Sequence, residues 1–461
     1  MKKTIRVVVL VVILVSVLSP YALTQLLAKY RTAQRKELEE SWVVDGNLTL
    51  RWDIFPEPVV VFENCSGFII NCSDAVLDLN DHTIMFESDG KAPGEDGVVV
   101  QGRHGVTIKN GDIRGFQIGI YVRDSTEVNI INNTVSEMAN IGISIEHLTK
   151  PTSNITIANN TVFAIERQGI WLDSLDHVDI SHNIVSSCYS HGIMMYDTTN
   201  CTVTNNTLSN NEPSGLYMGI SNGNIISDNT LLGNSIGLQS EESTSNVVCH
   251  NNFVDNTDQV ETIDSTNTWN YSYPCGGNYW SDYEGEDRFS GRNQNVLGRD
   301  GMGDQPYVID ENNRDMHPLV DRWGTTLKVF EIAWNMSLGG AHWKNISSVA
   351  LFSDSSVTDF DFNKLKRISF DTSNGTFCRV IVAKDLLEGA FNCSVDDVIR
   401  DSSLNWDATH TFMGFTYSNE SHRVEITGER ATRILGDLDN NGVVDMRDIS
   451  KAARNFGTET G

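Results

Sequence analysis

The chain has few basic residues, no CxxC pair and no helical periodicity in its repeats, and each absence excludes a class of protein. Lys and Arg number 34 against 61 Asp and Glu, so the formal net charge is −27 over 461 residues. A surface this acidic repels nucleic acid and suits cations or neutral polymers. Without a CxxC pair, a zinc or thiol redox site is not expected. Without a 3.6-residue period, the repeats are not helical.

An apolar segment stands at the N-terminus. The basic start MKKTIR precedes the run VVVLVVILVSVLSP, an order typical of a secretory signal. If the run continues to Ala28, it reaches the roughly 20 residues that span a bilayer. Residues 1–28 are therefore predicted to be a signal peptide or a membrane anchor, followed by a polar linker at 29–45. Either alternative places the rest of the chain outside the cell or on its surface, with membrane contact only through this segment.

Sequons and cysteines suit an exported chain. Fourteen Asn-x-Ser/Thr sequons are possible glycosylation sites, although an Asn- and Thr-rich repeat also generates them by composition. Two cysteine pairs are close enough in sequence for disulfides, which an exported protein allows. Cys201 and Cys249 occupy inward positions of the repeat and are expected to be buried thiols. The disulfide candidates are Cys65 with Cys72 and Cys378 with Cys393.

The motif QGIWLD, at 168–173, recurs in altered form at 118, 141, 191, 214 and 236. The glycines are 23, 27, 23, 23 and 22 residues apart, and a series of asparagines keeps the same period with the same four-residue insertion. Two markers sharing one period are a strong repeat signal. The glycines are Gly119, Gly142, Gly169, Gly192, Gly215 and Gly237, and the asparagines are Asn133, Asn160, Asn183, Asn206, Asn229 and Asn252.

A repeat of this length cannot bury its own apolar face and must stack on its neighbours. Stacking forms inward columns, and a turn asparagine can bond to the copies above and below while adopting left-handed geometry. Leucine-rich repeats would show LxxLxL, and propeller blades need about 40 residues. The fold class is therefore all-β, a right-handed parallel β-helix over residues 46–322, with at least six coils and irregular ones before Gly105. The inward pairs are Ile130/Val135, Ile157/Val162, Ile180/Val185 and Val203/Leu208.

Alternation places every second residue of the motif outside. Counted from the repeat glycine, positions +1 and +3 are core, whereas +2 and +4 face solvent. Row +2 contains Tyr121, Ser144, Trp171, Met194, Tyr217 and Gln239. Row +4 contains Arg123, Glu146, Asp173, Tyr196, Gly219 and Glu241.

These two rows, called the strip below, predict a polysaccharide or surface-glycan partner. Flat rings beside carboxylates suit pyranose faces and hydroxyl groups. The alternative is that large side chains only stabilise exposed parallel strands. The candidate ligand-binding residues are Tyr121, Trp171, Met194, Tyr196 and Tyr217.

Two other activities remain open on the same face. Cleavage of a glycan needs two carboxylates at a suitable separation, and the catalytic candidates for a hydrolase or lyase are Glu146, Asp173 and Asp197. Copper is the second alternative, because thioether and imidazole ligands suit it. Its candidate ligands are His191, Met194, Met195 and Met218, although two of these methionines fall in core columns.

A Gly-, Asp- and aromatic-rich segment follows the last coil, and a cap over the open end is predicted at about 269–322. The sequence GGNYWSDY…DGMGDQPYVID…HPL, together with the repeat, resembles the NosD-like family. This resemblance covers roughly residues 50–320. It implies an exported parallel β-helix of the carbohydrate-binding and sugar-hydrolysis class, in a family with copper-related and polysaccharide-related members. It carries over no catalytic residue.

Residues 325–430 change character, with short alternating strands in SVALFS, KRISFD, CRVIVA, TFMGFTY and HRVEITG. Regular strands with turns between them predict a β-sandwich. The segment FCRVIVAKDLL resembles a strand-rich module of archaeal surface proteins, which implies a spacing or display role.

The segment GDLDNNGVVDMRD near the C-terminus has the order of oxygen ligands that wraps one Ca²⁺. Gly442 supplies the sharp turn, and residues 431–461 resemble a single dockerin repeat with an EF-hand-like loop and helix. The resemblance implies a cohesin-like or other surface protein as partner, although dockerins normally carry two repeats. Ca²⁺ is the expected cofactor. Its predicted ligands are Asp437, Asp439, Asn441, Val443, Asp445 and Asp448.

Overall fold

The structure is a computed structural model that describes residues 35–429, apart from residues 39, 51–58, 64, 88–94, 339–340, 364–366 and 385. The predicted N-terminal segment and calcium loop lie outside the described residues. Within them, no helix has the length and apolar character needed to cross a membrane. The chain divides into a first unit, Met1–Asn246 with Asp255–Thr266, and a second unit, Val247–Val254 with Asn267–Gly461.

The first unit, called the β-helix unit, is built of three parallel sheets. Sheet A contains β1 (Arg35–Leu38), β4 (Val59–Glu63), β7 (Thr83–Glu87), β10 (Asp112–Arg114), β13 (Thr134–Ser136), β16 (Thr161–Ile165), β19 (Ile184–Cys188), β22 (Thr207–Ser209) and β25 (Thr230–Leu232). Sheet B contains β2 (Trp42–Val44), β5 (Phe68–Ile70), β8 (Val98–Gln101), β11 (Ile118–Arg123), β14 (Ile141–Glu146), β17 (Ile170–Asp173), β20 (Ile193–Tyr196), β23 (Ser214–Gly219), β26 (Ile236–Glu241) and β29 (Asp258–Ile263). Sheet C contains β3 (Leu48–Thr49), β6 (Val76–Asp78), β9 (Thr107–Lys109), β12 (Asn129–Ile131), β15 (Ser153–Ala158), β18 (Asp176–Ser181), β21 (Thr202–Thr204) and β24 (Ile225–Ser227). Two more strands, β27 (Thr244–Cys249) and β30 (Thr266–Thr268), cross the chain boundaries between the units.

The parallel β-helix and its inward columns confirm the predicted fold class. All eight residues of the predicted inward pairs are buried, as are the +1 and +3 positions of all six motif copies. Cys201 is buried as predicted. The structure differs at the N-terminal end, where β1 and β2 lie within the stretch predicted as a linker at 29–45. Apolar Trp42 and Val43 pair there with Phe68 and Ile69 in sheet B.

A ladder of buried asparagines joins successive coils. The side-chain Oδ1 of Asn183 accepts from the backbone N–H of Asn160 at 2.9 Å, and Oδ1 of Asn206 accepts from that of Asn183 at 2.8 Å. Each Nδ2 also donates to a core-strand carbonyl of the preceding coil, as Asn206 does to Ile180 at 2.8 Å. The left-handed conformation belongs to the residue before the ladder asparagine, such as Asn205 with φ 57°, and not to the ladder residue itself.

The second unit holds a cap and a sandwich. Two strands of this unit, β28 (Asn252–Val254) and β31 (Tyr279–Trp280), pair in parallel. The cap strands are β32 (Phe289–Ser290), β33 (Val296–Leu297), β34 (Tyr307–Val308) and β35 (Arg314–Asp315). One antiparallel sheet of the sandwich orders β36 (Leu327–Leu338), β37 (Ala341–Ser353), β40 (Phe377–Ala383), β44 (His410–Thr416) and β43 (Ser403–Trp406). The other orders β38 (Ser356–Asn363), β39 (Arg367–Ser373), β45 (His422–Glu429), β41 (Glu388–Val395) and β42 (Val398–Arg400).

The ladder position in the second unit is Asn251, which corrects the predicted Asn252. The backbone N–H of Asn251 donates to Oδ1 of Asn278 at 3.0 Å. The N–H of Asn278 in turn donates to a carboxylate oxygen of Asp315 at 2.7 Å, and the same oxygen accepts from Nε1 of Trp280 at 3.1 Å. Within this unit, a fully buried carboxylate therefore ends the asparagine ladder.

The sandwich sheets share one apolar core, which contains both Cys378 and Cys393. In this structure both are buried free thiols. Cys72 is also a free thiol, and its Sγ lies 3.6 Å from the carbonyl oxygen of Val44. Neither predicted disulfide is formed in the structure, and their formation in an exported protein stays a prediction.

The cap contains a buried carboxyl, Asp300, that predicts a pH effect on stability. Burial, followed by the nearby charge of Asp287, raises the pKa of Asp300 from its usual value of 3.8 to about 7. A raised folded-state pKa gives stability that is present at low pH and is lost as pH rises through the folded pKa. We therefore expect the melting temperature of the second unit to decrease as the pH is raised from about 4 to about 8. The free energy of unfolding decreases by about 1.4 kcal/mol for each unit by which folding raises the pKa.

Asp300→Asn should remove part of this fall, because burial also raises the pKa of Asp315 in the same unit to about 7. Calorimetric melting at several pH values measures the change. An amide at residue 300 can accept from the N–H of Met302, as Oδ1 does at 3.1 Å. At the other oxygen, Nε2 of Gln294 donates at 3.2 Å, so the Gln294 amide must turn to present its unpartnered Oε1 to the new Nδ2. Asp401→Asn is the control, because Asp401 is exposed. An unchanged pH profile in Asp300→Asn would assign the fall to other groups.

Candidate functional site

The strip lies on the outer face of sheet B, where the strands pair in exact coil-to-coil register. In row +2, Trp171 is the partner of Ser144 on one side and of Met194 on the other, and Met194 pairs with Tyr217. In row +4, Asp173 pairs with Glu146 and with Tyr196. Parallel strands lie about 4.8 Å apart. The predicted ligand-binding residues therefore form two adjacent rows instead of being scattered.

Trp171, Met194 and Tyr217 are half-buried, and Tyr196 is 39% exposed. The rings of Tyr196 and Tyr217 converge over Gly219, where a Cβ atom would lie 2.8 Å from Oη of Tyr217 and 3.0 Å from Cδ2 of Tyr196. His191 packs on Tyr217 with ring centroids 4.6 Å apart. Glycine at residue 219 thus leaves room for both tyrosine side chains, because a Cβ atom there would meet each of them.

Tyrosine–glutamate pairs fix the ends of the strip. Oη of Tyr121 donates to Glu146 at 3.0 Å, and Oη of Tyr217 donates to Glu241 at 2.9 Å. Both pairs connect row +2 of one coil with row +4 of the next. Burial and the adjacent glutamate raise the pKa of each tyrosine to about 12, so both hydroxyls stay protonated donors at neutral pH.

Ser144 and Gly219 of the strip are buried against expectation, and the catalytic candidate Asp197 also differs. Ser144 was predicted to face solvent, but it is fully buried because its short side chain sits between Tyr121 and Trp171 in row +2. Its Oγ donates to Glu146 at 3.0 Å. Asp197 is exposed but lies in the turn after β20 with φ 52°, so it is not on the strand face.

The candidate catalytic carboxylates are Glu146 and Asp173, on neighbouring strands in register. Glu146 accepts hydrogen bonds from Tyr121 and Ser144, whereas Asp173 accepts one from Oγ of Ser174 at 3.0 Å. Their adjacency is compatible with paired carboxylate chemistry, which needs about 5–5.5 Å in retaining and about 6.5–9.5 Å in inverting glycosidases.

The copper alternative does not fit the side chains on this face. Met195 and Met218 are fully buried in the core column. Outside the core, Met194 Sδ lies 3.7 Å from Nε2 of Gln168, and Nδ1 of His191 lies 2.6 Å from Oγ of Ser214. That leaves two outward candidate ligands. Over the described part of the chain, no group of three or more His, Cys, Asp or Glu side chains could hold a metal ion.

The coils match a known family. The model of the family described as "Periplasmic copper-binding protein (NosD)" matches residues 79–285. This match confirms the resemblance predicted from the repeat and the cap sequence. No curated protein matches the chain in sequence.

Solved structures similar to this chain include two polysaccharide epimerases and a bacteriophage tailspike protein. The periplasmic alginate epimerase AlgG is 13% identical over 43% of this chain, with a TM-score of 0.37, and 58% of its own length is covered. The AlgE6 A-module, a mannuronan C-5 epimerase of Azotobacter vinelandii, is 14% identical over 50% of this chain and 70% of its own, with a TM-score of 0.36. Tailspike protein 2 of an Escherichia coli O157:H7 bacteriophage is 12% identical over 86% of this chain and 62% of its own, with a TM-score of 0.42. At these sequence identities and TM-scores, no binding site of these proteins is transferred to this chain.

Proposed function

We propose that the chain is an exported surface protein whose β-helix binds a polysaccharide or cell-envelope glycan along the strip. The observation that carries this proposal is the register of sheet B, which aligns Trp171, Met194 and Tyr217 in one row beside Glu146, Asp173 and Tyr196 in the next. A linear polymer presents the same faces and hydroxyl groups repeatedly, and a row with a fixed repeat is suited to contact several of its residues at once.

The chemistry of the strip supports a sugar ligand. Indole and phenol rings have apolar faces that pack on the C–H faces of pyranose rings. The carboxylates of the strip can accept hydrogen bonds from sugar hydroxyl groups, and carboxylates are stronger acceptors than neutral groups. These carboxylates belong to Glu146, Asp173 and Glu241.

Trp171→Ala should weaken glycan binding about tenfold or more, because it removes the largest ring at the centre of row +2. Loss of a central aromatic anchor costs about 2 kcal/mol or more in binding, and 1.4 kcal/mol corresponds to a factor of ten. A glycan array followed by calorimetry with the tightest oligosaccharide measures the effect on the full-length chain. Tyr189→Ala is the control, since Tyr189 is 73% exposed but lies beyond β19 and outside both rows.

Equal losses in Trp171→Ala and Tyr189→Ala, or no loss in either, would contradict binding along the strip. A reducing-sugar assay on the same oligosaccharide tests the second candidate function, cleavage by the adjacent carboxylates. Turnover that disappears in the double variant Glu146→Gln with Asp173→Asn would identify a hydrolase or lyase. Binding without turnover would identify a binding protein.

The proposal includes the C-terminal tail as a calcium-binding segment that docks on a cohesin-like or other surface protein. It rests on the order of oxygen ligands from Asp437 to Asp448 and on the resemblance to a single dockerin repeat. Export rests on the N-terminal apolar run and on the sequons.

A further inference from the structure

The 27-residue spacing between Gly142 and Gly169 is longer than the others in the repeat, and its extra residues form a loop beside sheet B. In the next coil, the first residue that pairs in sheet C, Asp176, comes three positions after the row +4 residue Asp173. In the coil of Glu146, the equivalent residue, Ser153, comes seven positions after Glu146. The extra four residues fall within HLTKPT, 147–152, which we call the insertion loop.

Asp124 of the preceding coil fixes this loop. One carboxylate oxygen accepts from the backbone N–H groups of Leu148 at 2.9 Å, Thr149 at 2.8 Å and Lys150 at 3.1 Å. The other accepts from Oγ1 of Thr149 at 2.7 Å. These bonds, acting against burial, hold the pKa of Asp124 far below its usual range. The loop is therefore held in a defined position, and its donors occupy the oxygens of Asp124, which stays ionised.

The insertion loop walls a cavity of about 440 Å³ on the outer face of sheet B. Thr149 and Lys150 line one side, and Val99, Gln101 and Arg103 line the other. Val99 pairs in register with Tyr121, and Gln101 pairs with Arg123. The cavity therefore continues rows +2 and +4 beyond Tyr121, at the N-terminal end of the strip.

The cavity is cationic in a protein with a net charge of −27. Arg103 and Lys150 line it, and Arg123 stands beside Gln101 on the next coil. Nη2 of Arg103 donates to Asn71 at 3.0 Å and Nε is buried, so the guanidinium meets a ligand in the cavity through its Nη end. Asp124 is the one carboxylate that lines the cavity among the described residues, and the loop occupies its oxygens.

We infer that this cavity receives the carboxylate of a uronic acid residue, so that the glycan bound along the strip is an acidic polysaccharide. Arginine binds planar carboxylates through paired N–H donors, and Lys150 adds a charge from the loop. Apolar Ile69 and Val99 line the floor where a sugar ring would pack. The inference rests on the proposed glycan-binding function and adds to it the charge of the ligand.

The test compares hexamers of galacturonate and of mannuronate with their methyl esters, which keep the sugar and remove the charge. Calorimetry on the full chain should show at least one acid hexamer binding about tenfold tighter than its ester, and added salt should reduce this preference. Arg103→Gln and Lys150→Gln should each reduce the preference several-fold. Lys109→Gln, which removes the same charge from sheet C, should not change it.

A third variant guards against misfolding at Arg103. Deletion of residues 148–151 gives this coil the spacing of its neighbours and removes the loop wall, so it should also abolish the preference while circular dichroism stays unchanged. Equal affinity for acid and ester, both lost in Trp171→Ala, would overturn the uronate site and leave the glycan-binding function standing. Acid binding that needs Arg103 but not Trp171 would keep the site and overturn binding along the strip. If no hexamer binds, the uronate site is overturned, and the glycan array decides the broader proposal.

Discussion

Asn206→Ala should lower the stability of the β-helix unit by roughly 2–6 kcal/mol, because it leaves two buried backbone groups without these partners. The N–H of Asn183 loses Oδ1 of residue 206 at 2.8 Å, and the carbonyl of Ile180 loses Nδ2 at 2.8 Å. Both groups lie where water does not reach, since Asn183 is 1% exposed and Ile180 is 0% exposed. Urea unfolding followed by circular dichroism measures the change as a shift of the midpoint.

Asn205→Ala is the matched control for the ladder. Asn205 is adjacent in sequence but exposed, and its φ of 57° costs an alanine about 1 kcal/mol. A loss in Asn206→Ala no larger than that in Asn205→Ala would mean that the ladder does not hold the coils together. Asn206→Asp is a further comparison, because it retains the acceptor and removes the Nδ2 donor.

Gly169→Ala should destabilise the β-helix unit by about 3 kcal/mol through overpacking. A Cβ atom at residue 169 would lie 2.6 Å from the carbonyl oxygen of Gly192 and 2.5 Å from Cγ1 of Val185. The carbonyl belongs to the backbone of the next coil and cannot move without shifting the register of sheet B. The same measurement of the urea midpoint checks this expectation.

Gly46→Ala is the control for the glycine, because nothing lies within 4 Å of a Cβ atom there. A free energy of unfolding for Gly169→Ala within about 0.5 kcal/mol of that for Gly46→Ala would show that the coils yield to the added methyl group. The contacts also explain why the motif repeats its glycine. At Gly142, Gly169 and Gly192 the constraint is the approach of the neighbouring coil's carbonyl, not a left-handed φ.

The sequence predicted the coils because two markers, a glycine and an asparagine, recur with one period. It also predicted both rows of the strip, since alternation in a parallel strand leaves each side chain only two directions. It failed at Ser144, where a short side chain between two large neighbours is buried on the outer face. Alternation predicts direction and cannot predict how far neighbouring rings cover a small residue.

The sequence analysis also missed what depends on contacts between coils. A second asparagine ladder joins Asn211, Asn234 and Asn256, and its period of 23 and 22 residues was readable beside the first. The cavity beside the insertion loop was not readable, because it depends on the bonds from the loop to Asp124. The four-residue insertion was visible in the spacing, but the side of the coil on which it folds was not.

Because successive coils of sheet B pair residue for residue, the length of the strip is set by the number of copies of one short motif in the chain. Duplication of a single coil of 23 residues would lengthen the strip by one step and leave each older contact in place. Loss of a coil would shorten it in the same way. If the proposed function holds, the length of polymer that the β-helix unit contacts can therefore change in steps of one coil.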